Sequence, residues 1–155
     1  MKFIYLFCFY LISINSFVSC ISSDKCEESE FVSFASEGMV SDKEYVFDDF
    51  SELYQLSGPF EISITLRFSE ACALKYLPLQ IELQANMDSI SSYQLNIDFF
   101  DNIGHSLGKG NYGIYELVTP LTKISDIDEC FFVSLKTYES NTKGIISAGV
   151  IVKKV

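Results

Sequence analysis

The stretch Phe60-Glu-Ile-Ser-Ile-Thr-Leu-Arg-Phe68 decides the fold class. Phe60, Ile62, Ile64, Leu66 and Phe68 fall on one side of an extended chain and Glu61, Ser63, Thr65 and Arg67 on the other. A period of two over nine residues describes a strand with its apolar face buried and its polar face in water. The same alternation returns at Leu79, Ile81, Leu83, Ala85 and Met87. After a turn over residues 88–92 it resumes at Tyr93, Leu95, Ile97 and Phe99, so these two strands read as an antiparallel hairpin. Two more strands are expected at 131–138 and 149–153. The turn residues 140–144 lie between them, with Gly144 as the candidate for a positive φ, so the last two strands are expected to be antiparallel neighbours. Shorter candidates at 31–35, 44–47 and 112–117 bring the total to about eight strands. No helical period persists over three turns after residue 30, although 48–56 has the pattern for one or two helical turns. Strands with one apolar face each must stack or close. Their uneven loops favour an all-β, antiparallel two-sheet β-sandwich of immunoglobulin-like or jelly-roll type, with polar outer faces in water.

Composition agrees with a compact domain. The chain has 155 residues, 48% hydrophobic and 21% charged, with Gly 8 and Pro 3, which excludes disordered and collagen-like sequence. One domain is expected, without internal repeat or linker. Eleven lysines and arginines against 21 aspartates and glutamates give a net charge of -10, which repels the phosphate backbone of nucleic acid. With a single arginine, Arg67, and a single histidine, His105, the chain lacks the parts for phosphate clamps, histidine metal sites or histidine-activated nucleophiles. No enzymatic activity, cofactor or metal is expected.

The N-terminus reads as an address. Lys2 precedes Phe3-Ile-Tyr-Leu-Phe-Cys-Phe-Tyr-Leu-Ile12, and the apolar run continues, with Ser13, Asn15 and Ser16 interposed, to Val18. This is the layout of a secretory signal, and it gives out short of the ~20 apolar residues of a membrane span. The exit Phe17-Val18-Ser19-Cys20 resembles the lipobox of bacterial lipoproteins. Cleavage between Ser19 and Cys20 would then leave Cys20 as the lipidated first residue, held in a membrane by its acyl chains. The alternative is an ordinary signal cleaved near Ser19, leaving a secreted protein with a plain thiol at Cys20. The division expected is 1–19 signal peptide, 20–30 acidic tether and 31–155 sandwich domain. The acidic stretch resembles the signal that sends lipoproteins of Bacteroidota-type bacteria to the outer leaflet; it reads equally well as a solvated spacer. Cys26, Cys72 and Cys130 would remain in an oxidising compartment. Cys72 and Cys130 both flank strands and could form one disulfide, while a buried free cysteine is as common an outcome.

Other candidate chemistry is sparse. Gly108-Lys-Gly-Asn-Tyr-Gly113 has the look of a nucleotide loop but opens no helix; it reads as a bulge and turn bending the strand that begins at Tyr112. Ser140 and Lys143 match a penicillin-binding spacing inside a turn, without the supporting motifs. Asp98, Asp101, Asp126, Asp128 and Glu129 follow no calcium-loop pattern and read as solvated carboxylates. Tyr45, Tyr54, Tyr112 and Tyr115, taken as exposed, offer a platform for sugar rings, so a carbohydrate-binding surface protein is the competing class.

With these segments placed, residues 31–155 resemble the gliding-motility lipoprotein GldH family of Bacteroidota-type bacteria. The similarity is carried by 60–68 with Arg67 near its end and by Tyr76-Leu-Pro-Leu-Gln-Ile81. It continues through Gly104, then Gly108-Lys-Gly-Asn-Tyr-Gly-Ile-Tyr-Glu116, and closes on Lys143-Gly-Ile-Ile-Ser-Ala-Gly-Val-Ile-Val-Lys153. Gly108, Gly110, Gly113, Tyr115, Glu116, Gly144 and Gly149 are the most specific positions. Gly38-Met39 stands where the family commonly has a tryptophan, which marks a divergent member. The resemblance implies an outer-membrane lipoprotein without known catalysis. Its partners would be other envelope proteins of gliding motility and type IX secretion, with a role in secretion or envelope organisation in species that do not glide.

Overall fold

A computed structural model describes residues 27–155. The expected signal peptide, Cys20 and Cys26 lie outside the described residues. Nine strands form: β1 (Glu27–Ser33), β2 (Glu44–Phe47), β3 (Phe60–Ser69), β4 (Tyr76–Asn86), β5 (Ser89–Asp98), β6 (Lys109–Asn111), β7 (Ile114–Ile124), β8 (Phe132–Lys136) and β9 (Ile145–Lys154). They make two antiparallel sheets, a five-stranded one in the order β1-β9-β3-β7-β6 and a four-stranded one in the order β2-β8-β4-β5. The molecule is the expected all-β two-sheet sandwich. Among the described residues no helix is long and apolar enough to cross a membrane.

The alternating residues of β3 build the core. Phe60, Ile62, Ile64, Leu66 and Phe68 are all fully buried and meet Ala148, Val150 and Val152 of β9 on the same sheet face. Leu77, Leu79, Ile81 and Leu83 of β4 face them from the second sheet, with Val133 and Leu135 of β8 and Tyr45 and Phe47 of β2. Residues 48–59 close one side of this layer. The expected helical turns there are instead successive turns bonded by Leu53 N–H to Phe50 C=O and Leu56 N–H to Leu53 C=O, which drive Phe50 and Leu53 into the core. Phe50 meets the Phe131 ring edge-on at 5.2 Å.

Three expectations need correction. The strand at 131–138 and the final strand are not neighbours: β8 lies in the four-stranded sheet and β9 in the other, between β1 and β3. The chain between them crosses the end of the sandwich, anchored by Thr137 Oγ1 donating to Pro78 C=O (2.8 Å) and Thr142 Oγ1 to Met39 C=O (2.6 Å). Gly144 does adopt φ 94°, and glycine is required there on a second count, since a Cβ would lie 2.6 Å from the Cys72 backbone. Second, β1 begins at Glu27, so residues 27–30 of the expected tether are strand, paired with Val150, Ile151, Val152 and Lys153 of β9. Glu28 and Glu30 alternate onto the inward side, where Glu30 Oε2 accepts the Asp49 N–H at 3.0 Å. Inward carboxylates, that of Glu30 bonded to a neighbouring loop, conceal the strand's period. Third, Lys109–Asn111 forms a ninth strand, and the strand expected from Tyr112 begins instead at Ile114.

The outer face of β3 also departs from the simple alternation. Thr65 is fully buried and Ser63 nearly so, because β3 is central and its outward side is roofed. Phe31, Gly149, Thr65 and Val118 form one cross-strand row, with Arg67 and Glu116 in the next. The Phe31 ring lies over Gly149, where a Cβ would come within 2.5 Å of it, and the Arg67 guanidinium sits 4.9 Å from the Phe31 ring centre. The Thr65 hydroxyl under this roof has no hydrogen-bond partner. Ile64→Ala should therefore cost about 2–5 kcal/mol through loss of packing. Its neighbour Thr65→Val should be neutral or stabilising by up to about 2 kcal/mol, since it removes an unsatisfied buried hydroxyl at nearly constant shape. Urea unfolding of the two variants measures both.

Candidate functional site

Strand polarity sorts the loops to two ends. Residues 34–43, 70–75, 99–113 and 137–144 lie at one end; residues 48–59, 87–88 and 125–131 lie at the other, together with the start of β1 at Glu27. Arg67, Gly104, Gly108, Gly110, Gly113, Tyr115, Glu116, Gly144 and Gly149 gather at the first end and along the adjoining part of the five-stranded sheet, while residues 76–81 lie in β4 of the other sheet. Arg67 and Glu116 are direct partners across β3 and β7, and their side chains form an ion pair with Nε to Oε2 at 2.5 Å. Tyr115 pairs with Phe68, ring centres 5.6 Å apart, and Phe68 also meets Phe99 and Phe100. Gly108 leaves room for both the Phe68 and Tyr115 side chains, each 3.0 Å from where a Cβ would stand. At Gly110 a Cβ would fall 2.0 Å from the Ile114 carbonyl oxygen. These glycines are therefore close-packing positions of a sheet end, and nothing in their arrangement cradles a phosphate.

The segment 108–113 is a hairpin rather than a bulge. Asn111 pairs with Ile114, and the two residues between them, Tyr112 and Gly113, have φ values of 54° and 77°. Two successive positive φ angles match the right-handed twist of the flanking strands, as type I′ turns do. Gly113 takes this conformation freely, and its carbonyl accepts the Glu70 N–H at 2.9 Å. Tyr112 takes it at a cost, and its side chain is 97% exposed, so packing does not compensate. Ile103, Leu107 and Ile114 are also exposed in the same stretch of chain. The loop before the hairpin is ordered by Asp101, whose Oδ1 accepts the N–H groups of Ile103 (2.9 Å) and His105 (2.8 Å). The His105 N–H, more than any other group, holds the Asp101 carboxyl below its usual range. Gly104, at φ 87°, completes that turn. A strained, solvent-facing tyrosine among exposed apolar residues is the most distinctive feature of this end. The sequence signal for it is the spacing Asn111-Tyr-Gly113 between two strands; the expected turn is present, as the connection of a hairpin rather than a bulge bending one strand.

At the opposite end the surface is acidic. Glu27, Glu28, Asp49 and Glu52 surround a cleft of about 590 Å³. Burial raises the Glu28 carboxyl above its ordinary range, the backbone N–H of Glu52 offsets part of the rise, and the charges of Glu52 and Asp49 add to it. Glu28 Oε2 has no hydrogen-bond partner.

The remaining expected candidates separate. Cys72 and Cys130 are both free. Cys72 precedes the start of β4, while Cys130 precedes β8, whose first residue Phe132 pairs with Gln84 near the end of β4. Eight residues of strand, roughly 27 Å, separate those two levels, far beyond disulfide reach. Burial pushes the Cys72 thiol up, away from the reactive thiolate. Of the four tyrosines taken as exposed, Tyr45 is buried edge-on to Phe34 at 5.1 Å, and Tyr54 and Tyr115 pack against the core; Tyr112 alone stands free, so they form no platform. Among the described residues no group of three or more histidine, cysteine, aspartate or glutamate side chains is placed to hold a metal ion. Asp126 and Asp128 bond to the backbone N–H groups of Gly58 and Cys130.

No family model matches the chain, and no curated protein matches it. Among solved structures, it is similar to a fructofuranosidase from Schwanniomyces occidentalis complexed with fructose, at 10% identity and a TM-score of 0.38. That similarity covers 81% of this chain and 33% of the fructofuranosidase chain. It is also similar to a nora virus structure at 9% identity and a TM-score of 0.31, covering 83% of this chain and 54% of the viral one. The chain thus spans about a third and about half of those two proteins.

Two variants test the two ends. Tyr112→Asn should stabilise the protein by about 1 kcal/mol in urea unfolding, because asparagine tolerates the left-handed region and no packing is lost. Glu28→Gln should raise the melting temperature at neutral pH and leave it nearly unchanged in acid. A carboxyl whose folded-state pKa is raised destabilises the fold progressively as pH rises above its unfolded value, and the amide cannot ionise.

Proposed function

We propose that this chain is a lipid-anchored, non-catalytic protein of the GldH type, acting in the outer membrane through contact with other envelope proteins of gliding motility or type IX secretion. The reading draws on the residue resemblance and on the lipobox-like Ser19-Cys20. The observation that carries it is the polarity of the fold. Glu27 lies seven residues after Cys20, at most about 25 Å of fully extended chain, so an anchor at Cys20 holds the Glu27 end close to the membrane. The turn with Tyr112, and with it Ile103, Leu107 and Ile114, belongs to the opposite end, away from the tether and open to a partner. Met87, Ile90 and Val155 are exposed at the Glu27 end, nearest the tether; the exposed apolar residues of the far end are the kind of surface that protein partners cover. A sugar-binding role is less favoured, since three of the four tyrosines it needs pack against the core.

Two experiments test this. Cys20→Ala should move the protein from the membrane to the soluble fraction; retention in membranes contradicts lipidation. Crosslinking in intact cells followed by purification should recover motility or secretion components with the wild type and fewer with Tyr112→Ser. Recovery of none, together with binding to a polysaccharide, overturns the reading.

A further inference from the structure

Each sheet has two edges, and three of the four are blunted. β6 is three residues long, and β7, unpaired on that side beyond Glu116, carries Pro120 and Lys123; β2 has four residues, and β1 carries Glu27, Glu28 and Glu30, the last two turned inward. Short edges and inward charges are the devices that keep sheets from pairing with other chains. β5 has neither. It runs ten residues, Ser89–Asp98, and pairs along one side only, with β4. No charged residue and no proline occurs between Ser89 and Ile97. The one irregularity in its ladder falls between Gln84 and Asn86 of β4, so residues 91–97 form a regular edge. Tyr93 and Leu95 pack against the core from this strand and remain half-exposed, as they would beside a missing neighbour.

We propose that β5 is a self-association edge, at which two copies of this chain pair their β5 strands antiparallel and join two four-stranded sheets into one. The occupant follows from the strand itself. A two-fold axis perpendicular to the sheet keeps inner face with inner face, so the register must match odd positions with odd. Centred on Gln94, the pairing sets Tyr93 opposite the second copy's Leu95, covering both half-exposed side chains, and Ser92 opposite the second copy's Asn96. Centred on Tyr93, it would bring Asp98 against the second copy's Asp88. Like charges directly opposite are unfavourable, so charge disfavours the Tyr93 register, and the Gln94 register is the one that covers both half-exposed side chains with each other. Antiparallel pairing sends the two Glu27 ends in opposite directions. Both anchors reach one membrane when the strands lie along it, which a tether of at most about 25 Å permits across sheets about 10 Å apart; each Tyr112 end is then displaced sideways from its own anchor and stays open to a partner. That orientation rests on the anchor reading; the pairing does not.

Disulfide trapping of the full chain in membranes tests the edge. Gln94 is exposed, and Gln94→Cys should give a disulfide-linked dimer on mild oxidation, well above that of the wild type with its own cysteines. Lys123→Cys, on the five-stranded sheet, should not. Sedimentation in detergent gives a second measurement. The wild type should self-associate more strongly as salt screens the net charge of -10. Gln94→Lys, with an unchanged far-UV spectrum, should weaken association about fivefold by facing two lysines across the axis. A Gln94→Cys adduct with a different protein, equal trapping at Lys123→Cys, or a mass insensitive to Gln94→Lys would each overturn the proposal.

Discussion

The structure depends on β3 being paired along both sides. It runs between β7 and β9 for its full length, so its backbone polar groups are satisfied within the sheet and its five large apolar residues are fixed in one plane. A strand in that position loses solvent on both faces. Its inner face becomes the core against β4 and β8. Its outer face is roofed by Phe31 and Arg67, which reach across from β1 and from β3 itself. The Arg67–Glu116 pair sits at the rim of this roof, half in water, where such a pair adds little stability and chiefly fixes the guanidinium above the Phe31 ring. The only arginine of the chain is thus a packing element before it is a charge.

Once β3 is central, the ends of the molecule acquire separate characters. Successive strands run in opposite directions except β5 and β6, which both run toward the first end, so the loops alternate between the ends apart from 99–108 and 112–113, which share one. The end near Glu27 collects carboxylates around a desolvated Glu28. The end near the β6–β7 hairpin collects glycines, a capped Asp101 loop and exposed apolar side chains. The glycines allow strands and loops to approach closely: at Gly108, Gly110 and Gly144 a single added carbon would meet neighbouring atoms at 3.0 Å or less. What remains exposed there, above all Tyr112, stands on closely packed backbone whose supporting positions admit no side chain.

The edges divide along similar lines. β1 and β2 are each bound to one neighbour and carry glutamates or little length, and β6 is hardly longer than its turn. β5 keeps a long, uncharged side. A sheet edge of that kind is a hazard unless something regularly covers it, and its own antiparallel copy meets the geometric terms.

The amino-acid sequence determined the strands whose period is intact. β2, β3 and most of β4 and β5 are legible because each side chain's polarity reports which face it occupies, and the two-sheet architecture follows from how many such faces must be buried. Where polar groups turn inward, as at Glu28 and Glu30, or where an outer face is roofed, as at Thr65, polarity no longer reports direction, and the period misleads. Tyr45, Tyr54 and Tyr115 failed as surface residues for the same reason, since an aromatic ring with a hydroxyl is equally at home in either place. Tertiary structure alone decided the partner of each strand. The turn residues before Gly144 announce a reversal but not which sheet the chain returns to, and that choice depended on β1 and β3 leaving one vacancy between them of the width of a strand. Local chemistry sets how a segment is extended; only the assembled sheets, by what they leave unpaired, set where it goes.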